Sequence, residues 1–123
     1  LFALARREIE HPGRVLVVED SFYTALETEI VVREAGFEVE GPVSSAEKAI
    51  ELLENTPVDG VVLDLDSDKN SVLALVDWLE ARRIPFVVLR STATAEGRRY
   101  QAVDKPVDPI LFMDKMKAAF HPL

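Results

Sequence analysis

The chain has 123 residues, 48% of them hydrophobic and 29% charged, the size and composition of one ordinary globular domain with a single continuous core. A formal net charge of -8 argues against a nucleic-acid surface, which needs clustered positive charge. The absence of cysteine excludes disulfides, thiolate metal sites and thiol nucleophiles.

Residues 1–13 stand ahead of the first regular element and read as an N-terminal extension or linker helix, with the domain proper over 14–123. They lack the long apolar run and small-residue cleavage site of a secretory leader. No stretch approaches the roughly 20 apolar residues of a membrane span, so no membrane contact and a cytoplasmic location are expected. Arg14-Val-Leu-Val-Val18 is a β-branched run suited to a strand buried on both faces, and it ends at Glu19-Asp20. Residues 21–35 follow as a helix, with Asp20 or Ser21 as N-cap, Phe22, Leu26 and Ile30 as its apolar positions, and Gly36 as its stop.

Residues 37–40 form a brief second strand, Gly41-Pro42 a turn, and residues 44–54 a helix with Ala46, Ala49, Ile50 and Leu53 on one face. A third strand, residues 59–64, ends in Asp64. Residues 71–82 form an aliphatic helix carrying Trp78, more simply read as partly buried packing than as partner surface. Residues 84–89 make a fourth buried strand, and a polar segment over 90–99 leads to a short fifth strand at 101–104. After Lys105-Pro106, Asp108 caps a last helix with Pro109 in its first turn and Ile110, Met113, Met116 and Phe120 on one face.

Alternating strands and helices mean parallel βαβ units: an α/β fold with one central sheet and helices on both sides. Ligands bind such sheets at the carboxyl ends of the strands. Glu19 and Asp20 stand at that edge after strand one, Asp64 after strand three with Asp66 and Asp68 beyond it, and Lys105 after strand five. Singly, each has an ordinary reading: a helix cap, loop charges, an exposed lysine. Together the carboxylates repel and raise one another's pKa unless a cation is present. An all-oxygen acidic pocket suits Mg²⁺, which takes one or two carboxylates and keeps several waters. A carboxylate beside such an ion is a nucleophile suited to phosphoryl transfer, and Lys105 is then a partner for the phosphoryl oxygens.

Val-Leu-Val-Val-Glu19-Asp20, Pro57-Val-Asp-Gly-Val-Val-Leu-Asp64, Ile84-Pro85-Phe-Val-Val-Leu and Lys105-Pro106, in that order over residues 14–120, resemble the response-regulator receiver domains of bacterial two-component systems. The resemblance implies a flavodoxin-like (βα)5 three-layer sandwich with sheet order 2-1-3-4-5. It implies that Asp64 accepts a phosphoryl group from a histidine kinase or phosphotransfer protein, that Asp20 and Asp64 ligate Mg²⁺, that Glu19 does so through water and that Asp66 does so by its carbonyl. It further implies that Lys105 binds the phosphate, that Lys105-Pro106 is cis, and that phosphorylation shifts a population of conformations. Such a domain signals by protein contact rather than as an enzyme, and a homodimer is among its arrangements. Gly41-Pro42, Asn70-Ser71 and Ile84-Pro85-Phe86 look closest to the subgroup served by HWE-type kinases.

The chain departs from the family at three places. Where a Thr or Ser usually follows strand four, Arg90 stands. Ser91 or Thr92 can supply the phosphate-binding hydroxyl after a small loop shift, Arg90 can pair with the phosphoryl group, Arg90 can bridge to Asp64 or Asp66 without phosphate, or it can point to solvent. The usual aromatic three residues before the lysine is Ala102, with Tyr100 on the same strand face. Too little chain separates Arg90 from Lys105 for a full fourth helix, so a short turn or none is expected. These departures keep open an alternative: a pseudo-receiver acting as a phosphorylation-independent binding or dimerisation module. Asp64-Leu-Asp66 also resembles the haloacid-dehalogenase nucleophile motif, but the chain has little room for that family's cap.

Overall fold

The computed structural model describes residues 13–64, 69–90 and 101–120. The expectations for the N-terminal extension, Asp66, Asp68, Ser91, Thr92, Tyr100 and the shortened fourth helix lie outside the described residues. Within them, β1 (Arg14–Glu19), α1 (Phe22–Glu34), β2 (Glu38–Val43), α2 (Ala46–Asn55), β3 (Gly60–Asp64), α3 (Lys69–Ala81), β4 (Phe86–Arg90), β5 (Ala102–Asp104) and α4 (Pro109–Phe120) follow in chain order. The five strands form one sheet in the order β2-β1-β3-β4-β5, and every pairing is parallel. This is the flavodoxin-like arrangement expected from the sequence.

Strand side chains alternate between faces, and the apolar runs of β1, β3 and β4 therefore feed two cores. Val15, Val17, Val62, Val87, Leu89 and Val103 pack with Val32 of α1 and with Phe112, Met116 and Phe120 of α4. On the other face, Leu16, Val18, Val61, Leu63 and Val88 pack with Ala46 and Ala49 of α2 and with Leu75, Val76 and Leu79 of α3. Each fully buried Val, Leu or Phe contributes roughly 1.5–3 kcal/mol of hydrophobic stabilisation. Trp78 is half-buried against the second core, and the Arg82 guanidinium lies 3.8 Å over its ring.

The Gly41-Pro42 stretch differs from the expected turn. It lies inside β2 as a cis peptide, and the register slips there, with Leu16 opposite Glu40 but Val18 opposite Val43. Gly41 has φ +84, and a Cβ on it would meet the Val43 nitrogen at 2.8 Å and the Val17 oxygen at 3.0 Å. Only glycine fits a backbone that close and that twisted.

The apolar positions assigned to α1 also differ. Phe22, Leu26 and Ile30 are exposed, with Tyr23 beside them, while Ala25, Thr28 and Val32 are buried. In α4, Ile110 is exposed and Phe112 is buried, whereas Met116 and Phe120 are buried as expected. α1 places compact residues against the sheet and leaves its large apolar ones outside, whereas α4 buries Phe112, Met116 and Phe120 and exposes Ile110 and Leu111. Ser21 holds the N-cap position of α1 without a side-chain cap bond. Ser45 caps α2 by accepting from the Lys48 N–H at 3.2 Å, and Asp108 caps α4 by accepting from the Ile110 and Leu111 N–H groups. The remaining boundaries move by one or two residues, as helix and strand ends do.

At Gly60, where β3 begins, an added Cβ would lie 2.2 Å from the Phe120 ring, which stacks edge-on against Phe37 at a centroid distance of 5.8 Å. Gly60→Ala is therefore expected to destabilise the domain by about 1–3 kcal/mol through overpacking, read as a lower urea midpoint. Combining it with Phe120→Leu should recover part of that loss. A Gly60→Ala protein with an unchanged midpoint would show that the ring yields freely.

Candidate functional site

The β1–β3 register sets Glu19 directly opposite Asp64. Both continue the strand face of Val17 and Val62, towards α1 and α4, so the apolar runs deliver two carboxylates to one place at the carboxyl edge. Their residues are only 5% and 2% exposed. Lys105 arrives from the end of β5, where its N–H donates to the Arg90 carbonyl at 2.8 Å and the Lys105-Pro106 peptide is cis. Its Nζ lies 2.5 Å from Asp64 Oδ1. A cleft of about 400 Å³ between α1 and α4 opens onto Asp64 and Lys105, with Thr24, Thr28, Pro106 and Phe112 in its walls.

This charge set is incomplete in a specific way. Among the described residues, the Lys105 ammonium meets a pair of buried carboxyl groups, Glu19 and Asp64. Burial, followed by the side-chain hydrogen bond and charge of Asp64, pushes Glu19 up from 4.5 to about 8, while the Ser21 N–H opposes the shift. That N–H donates to Glu19 Oε1 at 2.7 Å. Apart from the proton that the two carboxyls share, no donor reaches the remaining oxygens, Glu19 Oε2 and Asp64 Oδ2, both of which are buried. Orphaned buried acceptors of this kind fit a hard cation, which would replace the proton on Glu19. Asp20 is next in sequence and exposed. Among the described residues no three acidic or imidazole side chains form a ready-made cage. The donor set is therefore a carboxylate pair with Asp20 at its rim, consistent with an ion that retains water.

Arg90 pairs with Asp104 rather than bridging to Asp64 or pointing freely to solvent. Its Nε donates to Asp104 Oδ1 at 2.8 Å, with side-chain exposures of 22% for Arg90 and 67% for Asp104. The two residues are register partners at the ends of β4 and β5. Arg90 Nη1 is buried and has no hydrogen-bond partner. Asp104, immediately before Lys105, was not singled out from the sequence. Its signal was available: two adjacent parallel strands end in opposite charges, each one residue past an apolar position. Ala102, where an aromatic is usual, packs half-buried against the second core.

No family model matches the chain. Over 79 residues, 63% of its length, the chain is 30% identical to the transcriptional regulatory protein PdtaR of Mycobacterium tuberculosis, represented by two strains, and it spans 38% of the length of those curated relatives. Among solved structures, it is similar to a sensor protein from Polaromonas sp. JS666, with a TM-score of 0.77 and 23% identity over 88% of this chain and 95% of that one. A signal receiver domain of a signal transduction histidine kinase from Syntrophus aciditrophicus gives a TM-score of 0.74 and 23% identity over 85% and 87%. A CheY-like response regulator receiver domain from Methylobacillus flagellatus gives 0.74 and 23% over 86% and 97%. The sheet order, the paired carboxylates at its edge and these likenesses together assign to the chain the fold of the CheY-like receiver domains.

Proposed function

We propose that this domain is a phosphoacceptor receiver in a histidine-to-aspartate relay, phosphorylated on Asp64 and signalling by protein contact. The observation that carries the reading is the contact of Lys105 Nζ with Asp64 Oδ1 beside two buried carboxyl oxygens that no donor reaches apart from their shared proton. Lys105 holds one Asp64 oxygen in place beside the carboxyl of Glu19. In the reaction an Asp64 oxygen attacks phosphorus, the bond from phosphorus to the donor nitrogen breaks, and that electron pair stays with the departing imidazole. The Lys105 ammonium neutralises charge on a phosphoryl oxygen. Glu19, Asp20 and Asp64, with Asp66 by the family resemblance, would hold Mg²⁺, which supplies charge neutralisation for the incoming group. Ser91, Thr92 and Arg90 are the candidates for a further phosphoryl contact.

The donor in this reading is a histidine kinase or phosphotransfer protein. By the resemblance of Gly41-Pro42, Asn70-Ser71 and Ile84-Pro85-Phe86, that kinase would be of the HWE type. The exposed Phe22, Tyr23, Leu26 and Ile30 begin two residues after Asp20 and give a partner an apolar face beside the acceptor. Incubation with Mg²⁺ and acetyl phosphate, followed by intact mass spectrometry, is expected to show one phosphoryl adduct on wild type and none on Asp64→Asn. An adduct that survives in the variant would place the chemistry elsewhere. No adduct from either acetyl phosphate or kinase-bound phosphate would favour the phosphorylation-independent module.

A further inference from the structure

We propose that Asp104 is the resting counter-ion of Arg90, and that a phosphoryl group on Asp64 takes the guanidinium from it. The inference rests on the phosphoacceptor reading of Asp64 and concerns how that site is regulated.

Arg90 lies on the strand next to Asp64. The β3–β4 register pairs Leu63 with Val88, so Arg90 stands one residue beyond the row of Asp64; alternation starts its side chain on the Val88 face, and its length lets it turn over the carboxyl edge towards a phosphoryl group. Its backbone is pinned, because its carbonyl accepts the Lys105 N–H at 2.8 Å. Any rearrangement is therefore confined to the side chain. Only Nε is committed to Asp104, while Nη1 is buried and unsatisfied. A guanidinium carries five donors in a planar fork, and a phosphoryl group offers several anionic oxygens that accept from such a fork more fully than one carboxylate oxygen does.

Asp104 is two-thirds exposed, so its hold on Arg90 is weakened by solvent. A dianionic group in the partly buried site is the stronger competitor. The exchange would uncover the Asp104 carboxylate at the β4–β5 edge, beside Lys105-Pro106, and so change the charge that a partner meets there. Arg90 stands where the receivers this chain resembles usually carry the phosphate-binding hydroxyl, so the exchange would put a cation in its place.

The test is a beryllofluoride titration in Mg²⁺, with beryllofluoride standing in for the phosphoryl group. Arg90→Gln is expected to weaken binding about tenfold, and Asp104→Asn and Asp104→Ala to tighten it about threefold, by removing the competitor. In an Arg90→Gln background the Asp104→Asn effect should vanish, which separates release of Arg90 from a mere change of net charge. In wild type, the Arg90 Nε–H NMR resonance should move on saturation, a readout that needs no variant to fold. Wild-type binding that neither Arg90→Gln nor Asp104→Asn alters, with the Nε–H resonance unmoved, would overturn the exchange and leave the receiver reading standing. No beryllofluoride binding by wild type would overturn both.

Discussion

Metal-free protein is expected to lose stability as the pH rises from 4.5 towards 8, and Mg²⁺ to restore it. The cause is Glu19, whose carboxyl is raised from 4.5 to about 8 by burial and by Asp64. Between those values the folded state keeps a proton that the unfolded chain has released. The unfolded state thus binds fewer protons, and unfolding free energy falls by about 1.4 kcal/mol for each pH unit. The contribution is fully present below pH 4.5 and is lost as pH rises through 8. A divalent cation bound as proposed would do the proton's work, so the Mg²⁺-induced rise in Tm should be small near the acid end and largest at the alkaline end. Glu19→Gln should flatten the metal-free profile and shrink the Mg²⁺ effect. Thermal melts across this range, with and without Mg²⁺, decide the matter. A metal-free Tm that climbs steadily with pH, or a Mg²⁺ increment independent of pH, would contradict the role given to Glu19.

Lys105→Met should be the most damaging single change among the site residues. It keeps much of the aliphatic stem but removes the ammonium 2.5 Å from an Asp64 carboxylate whose residue is 2% exposed. Removing one partner of a buried pair leaves an uncompensated charge, a loss of order 3–5 kcal/mol. Because the lysine side chain is 24% exposed, water reaches the pair, and about 3 kcal/mol is expected in metal-free urea denaturation at neutral pH. The double variant Lys105→Met with Asp64→Asn should regain most of that loss, since the stranded charge is gone. A single variant as stable as wild type would show that the pair contributes nothing to the fold. A double variant no better than the single would assign the loss to packing of the lysine stem.

The strand runs were the most legible part of the chain. Continuous β-branched stretches ending in Glu19 and Asp64, with Lys105 after a short fifth run, specify a parallel sheet and bring three ionisable groups to one edge before any coordinates are consulted. The helix faces were less legible. Phe22, Leu26 and Ile30 have the spacing of a core stripe, yet Ala25, Thr28 and Val32 meet the sheet, because close packing on strands favours compact side chains over the most hydrophobic ones. Gly41-Pro42 carries the composition of a turn, which hides a strand that continues through a register slip. Arg90 stands out in the sequence, where pairing with a phosphoryl group, a bridge to Asp64 or Asp66 and exposure to solvent are all open to it. Asp104 ends the neighbouring strand one residue past an apolar position, as Arg90 does, and the β4–β5 register brings the two together.

The slip in β2 also bears on how copies of this chain can meet. A parallel sheet with open edges invites a second sheet to continue it. Here the β2 border carries Pro42, which has no N–H to offer, an irregular register at the same point, and the glutamates Glu38 and Glu40, both paired with Arg14. The opposite border, β5, is three residues long. Edges blunted by proline, irregularity, charge and shortness resist ladder extension and the aggregation that follows from it. Self-association of this domain is thereby steered away from strand addition and onto its helical faces, where side-chain complementarity rather than backbone hydrogen bonding selects the partner.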